Sequence, residues 1–454
     1  MGKELIFKAL RHETVSEMPW VPFAGVHAGK LKGYSAEDML KNADYIVESL
    51  CEVVKMYSPD GMPIIFDLQV EAEILGCELL WAKNNPPSVK SHPLSGEKKI
   101  PEQDQIPSER SGRLPAILDA MKRTKAAVGD DVALYGLICG PFTLASHLRG
   151  SEIFMDMIKD PNYVRELIEF CSKVAVKMSK MYIEAGMDVI AVVDPLVSQV
   201  SPKHIRSMMS ESFKTVFDFI RSEGAYSSFF VCGNATNQIE AMCEMGPDGI
   251  AVDENVNLAQ AKVITDKYNI CIGGNIPLTT TMLLGTQQDN MKSVIDLVES
   301  IDSSKNFILS PGCDMPYDTP IENTVACAQA AKKPESAKRM LENYTAKVDD
   351  IEVIIPDYKS ESKVVIELFL LDPEQCAACT YMLNSVVDAF QEIKDIAEYR
   401  VYKYYIREDI ARTAKMGIKN LPTMCVDGDI KWVSIIPSRE EFVSTIKEYA
   451  AKKN

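Results

Sequence analysis

Short apolar runs alternate with helical segments about eight times over roughly the first 330 residues, and this alternation limits the fold more than any other feature. The runs are Trp20–Phe23, Met62–Phe66, Val132–Ile138, Val189–Val193, 227–231, Gly249–Val252, Ile270–Gly274 and Phe307–Leu309. Each is nearly continuous in apolar residues and bounded by Gly, Pro or a polar residue, as expected of parallel strands buried on both faces. Helical periodicity fills the gaps, for example at 42–57, 115–128, 162–185 and 203–223. The pattern predicts a (β/α)8 TIM barrel over residues 1–333, with 84–114 as a surface excursion. A doubly wound open sheet is the alternative, but no Gly-rich dinucleotide fingerprint follows the first run.

The remaining chain is organised differently. Residues 334–362 read as a linker and 363–454 as a second, smaller α/β domain. There a strand at Val364–Leu370 is followed by Cys376-Ala377-Ala378-Cys379 at a helix start, and later by Leu421-Pro422-Thr423 leading into another strand. A helix N-terminus stabilises a thiolate, so Cys-x-x-Cys in this context reads as a redox motif. The domain resembles the thioredoxin and glutaredoxin family, which implies a cis bond at Leu421–Pro422 and a catalytic pair, Cys376 and Cys379. The Ala377-Ala378 spacer departs from the Gly-Pro or Pro-Tyr common in that family, and an adaptor without exchange activity is the competing reading.

A net charge of −16 excludes a general nucleic-acid binder, whose affinity rests on Lys and Arg meeting phosphates, and disfavours an anionic membrane surface. The sequence has no apolar run of the roughly 20 residues a spanning helix needs. Twelve cysteines without framework spacing predict reduced thiols and a cytoplasmic protein. Most read as packing residues. Cys232 and Cys313 differ because each sits where a predicted strand ends.

In a parallel barrel the C-terminal strand ends converge on one mouth, where chemistry is built. Asp67, Asp194, Cys232, Asp253 and Cys313 are predicted to meet there, with Glu254 and Asn275 beside them. Asp67, Asp194, Cys232 and Cys313 are the candidate catalytic residues. His27, Glu71, Asp253, Glu254, Asn275 and Tyr317 are candidate substrate contacts. Any of the carboxylates can instead be a helix cap or half of an ion pair. The two thiols can bind a soft metal, form a redox pair or simply pack. An acidic mouth suits a neutral or cationic substrate.

Phe66-Asp67, Gly140-Pro141-Phe142-Thr143, Val252-Asp253-Glu254 and Ser310-Pro311-Gly312-Cys313 together resemble the uroporphyrinogen decarboxylase superfamily. Within it, the barrel looks closer to the corrinoid-dependent branch that includes methylcobamide:coenzyme M methyltransferases. That resemblance implies methyl transfer between a small-molecule donor or thiol and a corrinoid protein carrying cobalamin. It also implies zinc held by His-x-Cys and a late cysteine. Cys232 and Cys313 match the two cysteines, but Phe230 stands at the histidine position. Residues two apart on a strand share a face, so Phe230 takes the ligand's place without supplying a donor. His27, or else Glu71 or Glu73, is the candidate third ligand.

Asp67 also matches the aspartate with which true decarboxylases hold pyrrole N–H groups. The loop after the first run has no arginine, however, to meet that substrate's carboxylates. A decarboxylase or a redox-switched small-molecule-binding protein remain the alternatives. In the fused form, Cys376 would attack a disulfide at Cys232 or Cys313, with Cys379 resolving the mixed disulfide.

Overall fold

Seven of the eight apolar runs form parallel strands: β1 (Gly61–Pro63), β2 (Ala133–Cys139), β3 (Val189–Val193), β4 (Tyr226–Val231), β5 (Gly249–Val252), β6 (Cys271–Ile276) and β7 (Phe307–Pro311). They pair in chain order in one curled sheet, in a computed structural model that describes residues 2–342, 344, 351, 353–371, 377–418 and 420–453. The eighth run, Trp20–Phe23, was expected to be a strand and is reduced to a single parallel bridge between Trp20 and Leu309. Val21 N donates to Leu309 O at 2.9 Å on one side, and Asp60 N donates to Trp20 O at 2.9 Å on the other. Pro19 and Pro22 lack an N–H, so the ladder cannot extend. The segment still fills the gap between β7 and β1, and the result is a TIM-like barrel.

Side-chain alternation sets what faces inward. Tyr135 and Leu137 of β2, Val189, Ala191 and Val193 of β3 and Phe230 of β4 join Val21, Phe23 and Phe66 in the buried interior cluster. The intervening Phe229 faces outward and packs on Phe213 and Phe217 at ring-centroid distances of 5.0 and 5.5 Å. The helix predicted over 203–223 is two helices, Pro202–Met208 and Ser210–Ser222, separated at Met209, which is itself fully buried.

Contacts divide the chain into Met1–Ala346 and Lys347–Asn454. The expected linker at 334–362 therefore straddles the boundary, and its first part is a helix, Pro334–Leu341. In the second unit, β8 (Val364–Leu370) pairs in parallel with β9 (Ala397–Lys403) and antiparallel with β10 (Thr423–Val426), which pairs with β11 (Asp429–Val433). Arg412 Nη2 meets the fully buried Glu367 at 2.5 Å, and Tyr358 O–H donates to the same carboxylate at 2.6 Å, which compensates its burial. The Leu421–Pro422 peptide is cis. Cys379 is buried in the helix Ala377–Phe390, whereas Cys376 lies outside the described residues.

Candidate active site at the barrel mouth

Because the strands are parallel, every chain segment leaving a strand's C-terminal end emerges on the same side of the barrel. Cys232 follows β4 and Cys313 follows β7, and the two are joined as a disulfide with a Cα–Cα distance of 6.2 Å across 81 residues of sequence. Both are only half-buried. Below them, on the face that Cys232 shares, Phe230 packs against Phe23 and Phe66 at centroid distances of 4.9 and 5.8 Å. Those two rings also meet each other at 6.1 Å, which completes an aromatic floor.

Carboxyls surround this pair. Glu254 backs onto the loop that carries Cys313, since a Cβ added at Gly312 would come within 2.3 Å of Glu254 Oε2. Leu278 N donates to Glu254 Oε1 at 3.3 Å, while Oε2 is buried without a partner. Burial lifts this carboxyl to about 8, and the neighbouring Asp253 charge adds to the rise. Asp253 is itself raised by burial; Asn255 N donates to its Oδ1 at 2.8 Å. On the far side of the Cys313 loop, Asp314 Oδ1 is also buried without a partner. Its carboxyl lies well above the ordinary range because of burial, with the Asp67 charge contributing. Gly25, at φ +25°, leaves room for Asp314; a Cβ there would overlap the carboxylate.

Asp67 is 1% exposed and ion-paired with Arg113 Nη1 at 2.8 Å, and Gln69 N donates to its other oxygen at 2.9 Å. Arg113 also donates from Nε to Glu73 at 2.7 Å and lies over the Trp81 ring at 4.9 Å. Arg113 was not a candidate from sequence. It lies at the end of the surface excursion, and nothing local links it to a residue 46 positions earlier. Asp314 was missed because it follows a turn and not a strand. Glu71 accepts from Cys139 N at 3.0 Å, and burial lifts it to about 7.

Several candidates are committed within the protein. Asp194 accepts from Phe142 N at 2.9 Å, Thr143 N at 3.1 Å and Thr143 O–H at 2.5 Å, and so caps the helix Pro141–Arg149. Burial still raises its carboxyl to about 7. Asn275 donates to Asp253 O at 2.9 Å and Val256 O at 2.8 Å, tying β6 to the loop after β5. Tyr317 O–H donates to Tyr34 O at 2.9 Å. His27 is fully buried, with Nδ1 2.9 Å from Tyr317 O and Nε2 2.7 Å from Tyr57 Oη. A carbonyl only accepts, so Nδ1 carries the proton and Nε2 accepts from Tyr57. Burial drops this imidazole to about 4, which keeps it neutral.

Residues 1–334 match the uroporphyrinogen decarboxylase (URO-D) family along their whole length. The chain belongs to that family. Among its relatives, a methylcobamide:CoM methyltransferase MtbA of Methanosarcina acetivorans is 28% identical over 73% of this chain and 97% of its own. A uroporphyrinogen decarboxylase of Wolbachia pipientis is 26% identical over 64% of this chain and 84% of its own. A solved methyltransferase from Methanosarcina mazei covers 75% of this chain and 99% of its own at a TM-score of 0.65 and 24% identity, which shows the shared fold.

The zinc implied by the URO-D resemblance meets a donor set that does not fit it. Cys232 and Cys313 are bonded to each other, and Phe230 occupies the third position as part of the aromatic floor. The ring nitrogens of His27 are both engaged, Glu71 is held by Cys139 N and Glu73 by Arg113. Among the described residues, no group of three His, Cys, Asp or Glu side chains is placed to hold a metal ion. A catalytic zinc needs three such donors and an open position. The expectation of an acidic mouth also changes: burial brings Glu71 and Asp194 to about 7 and Glu254 to about 8, and it raises Asp314 well above the ordinary carboxyl range.

Proposed function

We propose that the barrel transfers a methyl group between a corrinoid protein and a small thiol. The observation that carries this reading is the match to a methylcobamide:CoM methyltransferase over 97% of that enzyme's length, which is broader than the decarboxylase match at 84%. The corrinoid enters as a substrate on its carrier protein. In the transfer toward the thiol, sulfur takes the methyl group as its S–H proton leaves, and the electron pair of the broken bond stays with the corrinoid. The mouth supplies buried carboxyls that exchange protons near neutrality, Glu254 above all, and an aromatic floor that excludes water. Asp67, fixed by Arg113, orients the substrate.

The decarboxylase reading has one observation in its favour, Asp67 held by Arg113 and Gln69 N at the position that family uses. Its multiply charged substrate would need cationic groups, and Arg113 is already shared between Asp67 and Glu73. The second unit is proposed to be a thioredoxin-like dithiol domain, supported by the order β9-β8-β10-β11 and by Cys379 at a helix start.

The test offers the purified chain methylcobalamin with a panel of small thiols, anaerobically, and uroporphyrinogen in parallel. Thiol-dependent loss of the methylcobalamin spectrum is expected. Conversion of uroporphyrinogen with no demethylation would replace this reading by the second.

A further inference from the structure

The donor set that rejects zinc leaves two thiols paired at the mouth. We propose that Cys232 and Cys313 form a thiol–disulfide exchange site, cycling between disulfide and dithiol with a dithiol as reductant. This proposal is independent of the methyl-transfer reading.

The two residues come from strands separated by β5 and β6, yet their Cα atoms lie 6.2 Å apart, within the range of about 4.4–6.8 Å that a disulfide spans. The barrel frame therefore sets the pairing. Accessibility narrows the choice as well, to this pair and Cys51, a half-buried free thiol within the helix Ala43–Tyr57 that has no cysteine bonded to it. Cys77, Cys139, Cys171, Cys243, Cys271 and Cys327 of the barrel are buried, and burial pushes their thiols upward, to about 12 for Cys77, Cys243 and Cys327. Thiols held in that state are poor nucleophiles. Cys232 and Cys313 are half-buried at the open end of the barrel, where an incoming thiolate can reach a sulfur.

The surroundings also provide for the protons. A thiolate of the reductant attacks one sulfur, forms a mixed disulfide and expels the other cysteine as a thiolate. The reductant's second thiol then displaces the remaining cysteine and closes the reductant's own disulfide. Two electrons and two protons pass from the dithiol to the cysteine pair. Glu254 packs against Gly312, next to Cys313, and holds a proton near neutral pH, which places a proton source beside the expelled thiolate. Phe230 closes the floor beneath the pair and adds no competing donor.

The dithiol can be a free small molecule or the chain's own Cys376 and Cys379, and the experiment separates these. The full-length chain, purified without reductant, is equilibrated with graded ratios of reduced and oxidised dithiothreitol. It is alkylated natively, then reduced, labelled with a heavy reagent and mapped by mass spectrometry. Light label is expected to rise at Cys232 and Cys313 together, as one two-electron transition, from under a tenth to nearly complete. Timing the approach to equilibrium at one fixed ratio, by alkylating aliquots of the parent and of the Cys376→Ser/Cys379→Ser variant, identifies the source. An unchanged exchange rate assigns the reductant role to the free dithiol, and a rate lowered tenfold or more assigns it to the chain's own pair. Either result supports the exchange site. The proposal is overturned if both thiols alkylate at every ratio, if they titrate independently, or if zinc-supplied protein carries one zinc equivalent that shields both from alkylation.

Discussion

At the scale of single residues, Arg113 and Glu254 do the most to set the mouth. Arg113 is the charge paired with Asp67 at 1% exposure. Removing it leaves a buried carboxylate without its partner, so Arg113→Met should cost roughly 3–5 kcal/mol in denaturant unfolding. Arg113→Lys should recover only part of this, because an ammonium cannot reach Asp67 and Glu73 together as the guanidinium does. Glu254 gives a pH signature. Its folded value of about 8 lies above the ordinary 4.5, so the folded state binds the proton more tightly. The proton is present in both states below about pH 4.5, and stability then falls as pH rises through 8. Glu71 and Asp194, both near 7, act in the same direction. Melting temperature should therefore drop between pH 6 and pH 8.5, and Glu254→Gln, which mimics the protonated form, should flatten the drop. A melting temperature that rises across this interval would contradict the assignment.

At the scale of elements, β4 shows how far the sequence can be read. The run 227–231 announces a buried strand by its apolar residues, and its two-residue alternation places Phe230 and Cys232 on one face, as observed. The positions of β2 to β7 were legible for the same reason. The eighth stave was not, because Pro19 and Pro22 remove ladder donors that apolar patterning does not register. The pairing of Cys232 with Cys313 was legible only as a shared strand-end position; bond and metal site place their cysteines alike. Arg113 and Asp314 were invisible, since their roles depend on loops folding back onto distant strands. The aromatic floor yields a direct prediction. Phe230→His, kept reduced, adds the third donor beside both cysteines and should take up about one zinc equivalent, whereas the parent holds well below one. Elemental analysis after dialysis decides it, and equal zinc in the two proteins would refute the account of why the donor set fails.

At the scale of the whole molecule, a URO-D family barrel and a smaller α/β unit share one chain of 454 residues. Each unit has its own buried core, one inside the barrel and one around Val364, Leu368, Val386 and Phe442. No helix among the described residues is long and apolar enough to cross a membrane. The barrel frame brings strand ends from distant parts of the sequence to one mouth, and methyl transfer there is the central claim. Carbon-13 methylcobalamin incubated anaerobically with the full-length chain and a thiol tests it most directly, by following the labelled carbon in NMR spectra. The account predicts that the label leaves the corrinoid and appears in the methyl thioether, one for one, only when protein and thiol are both present. Label that stays on the corrinoid with every thiol offered would contradict it.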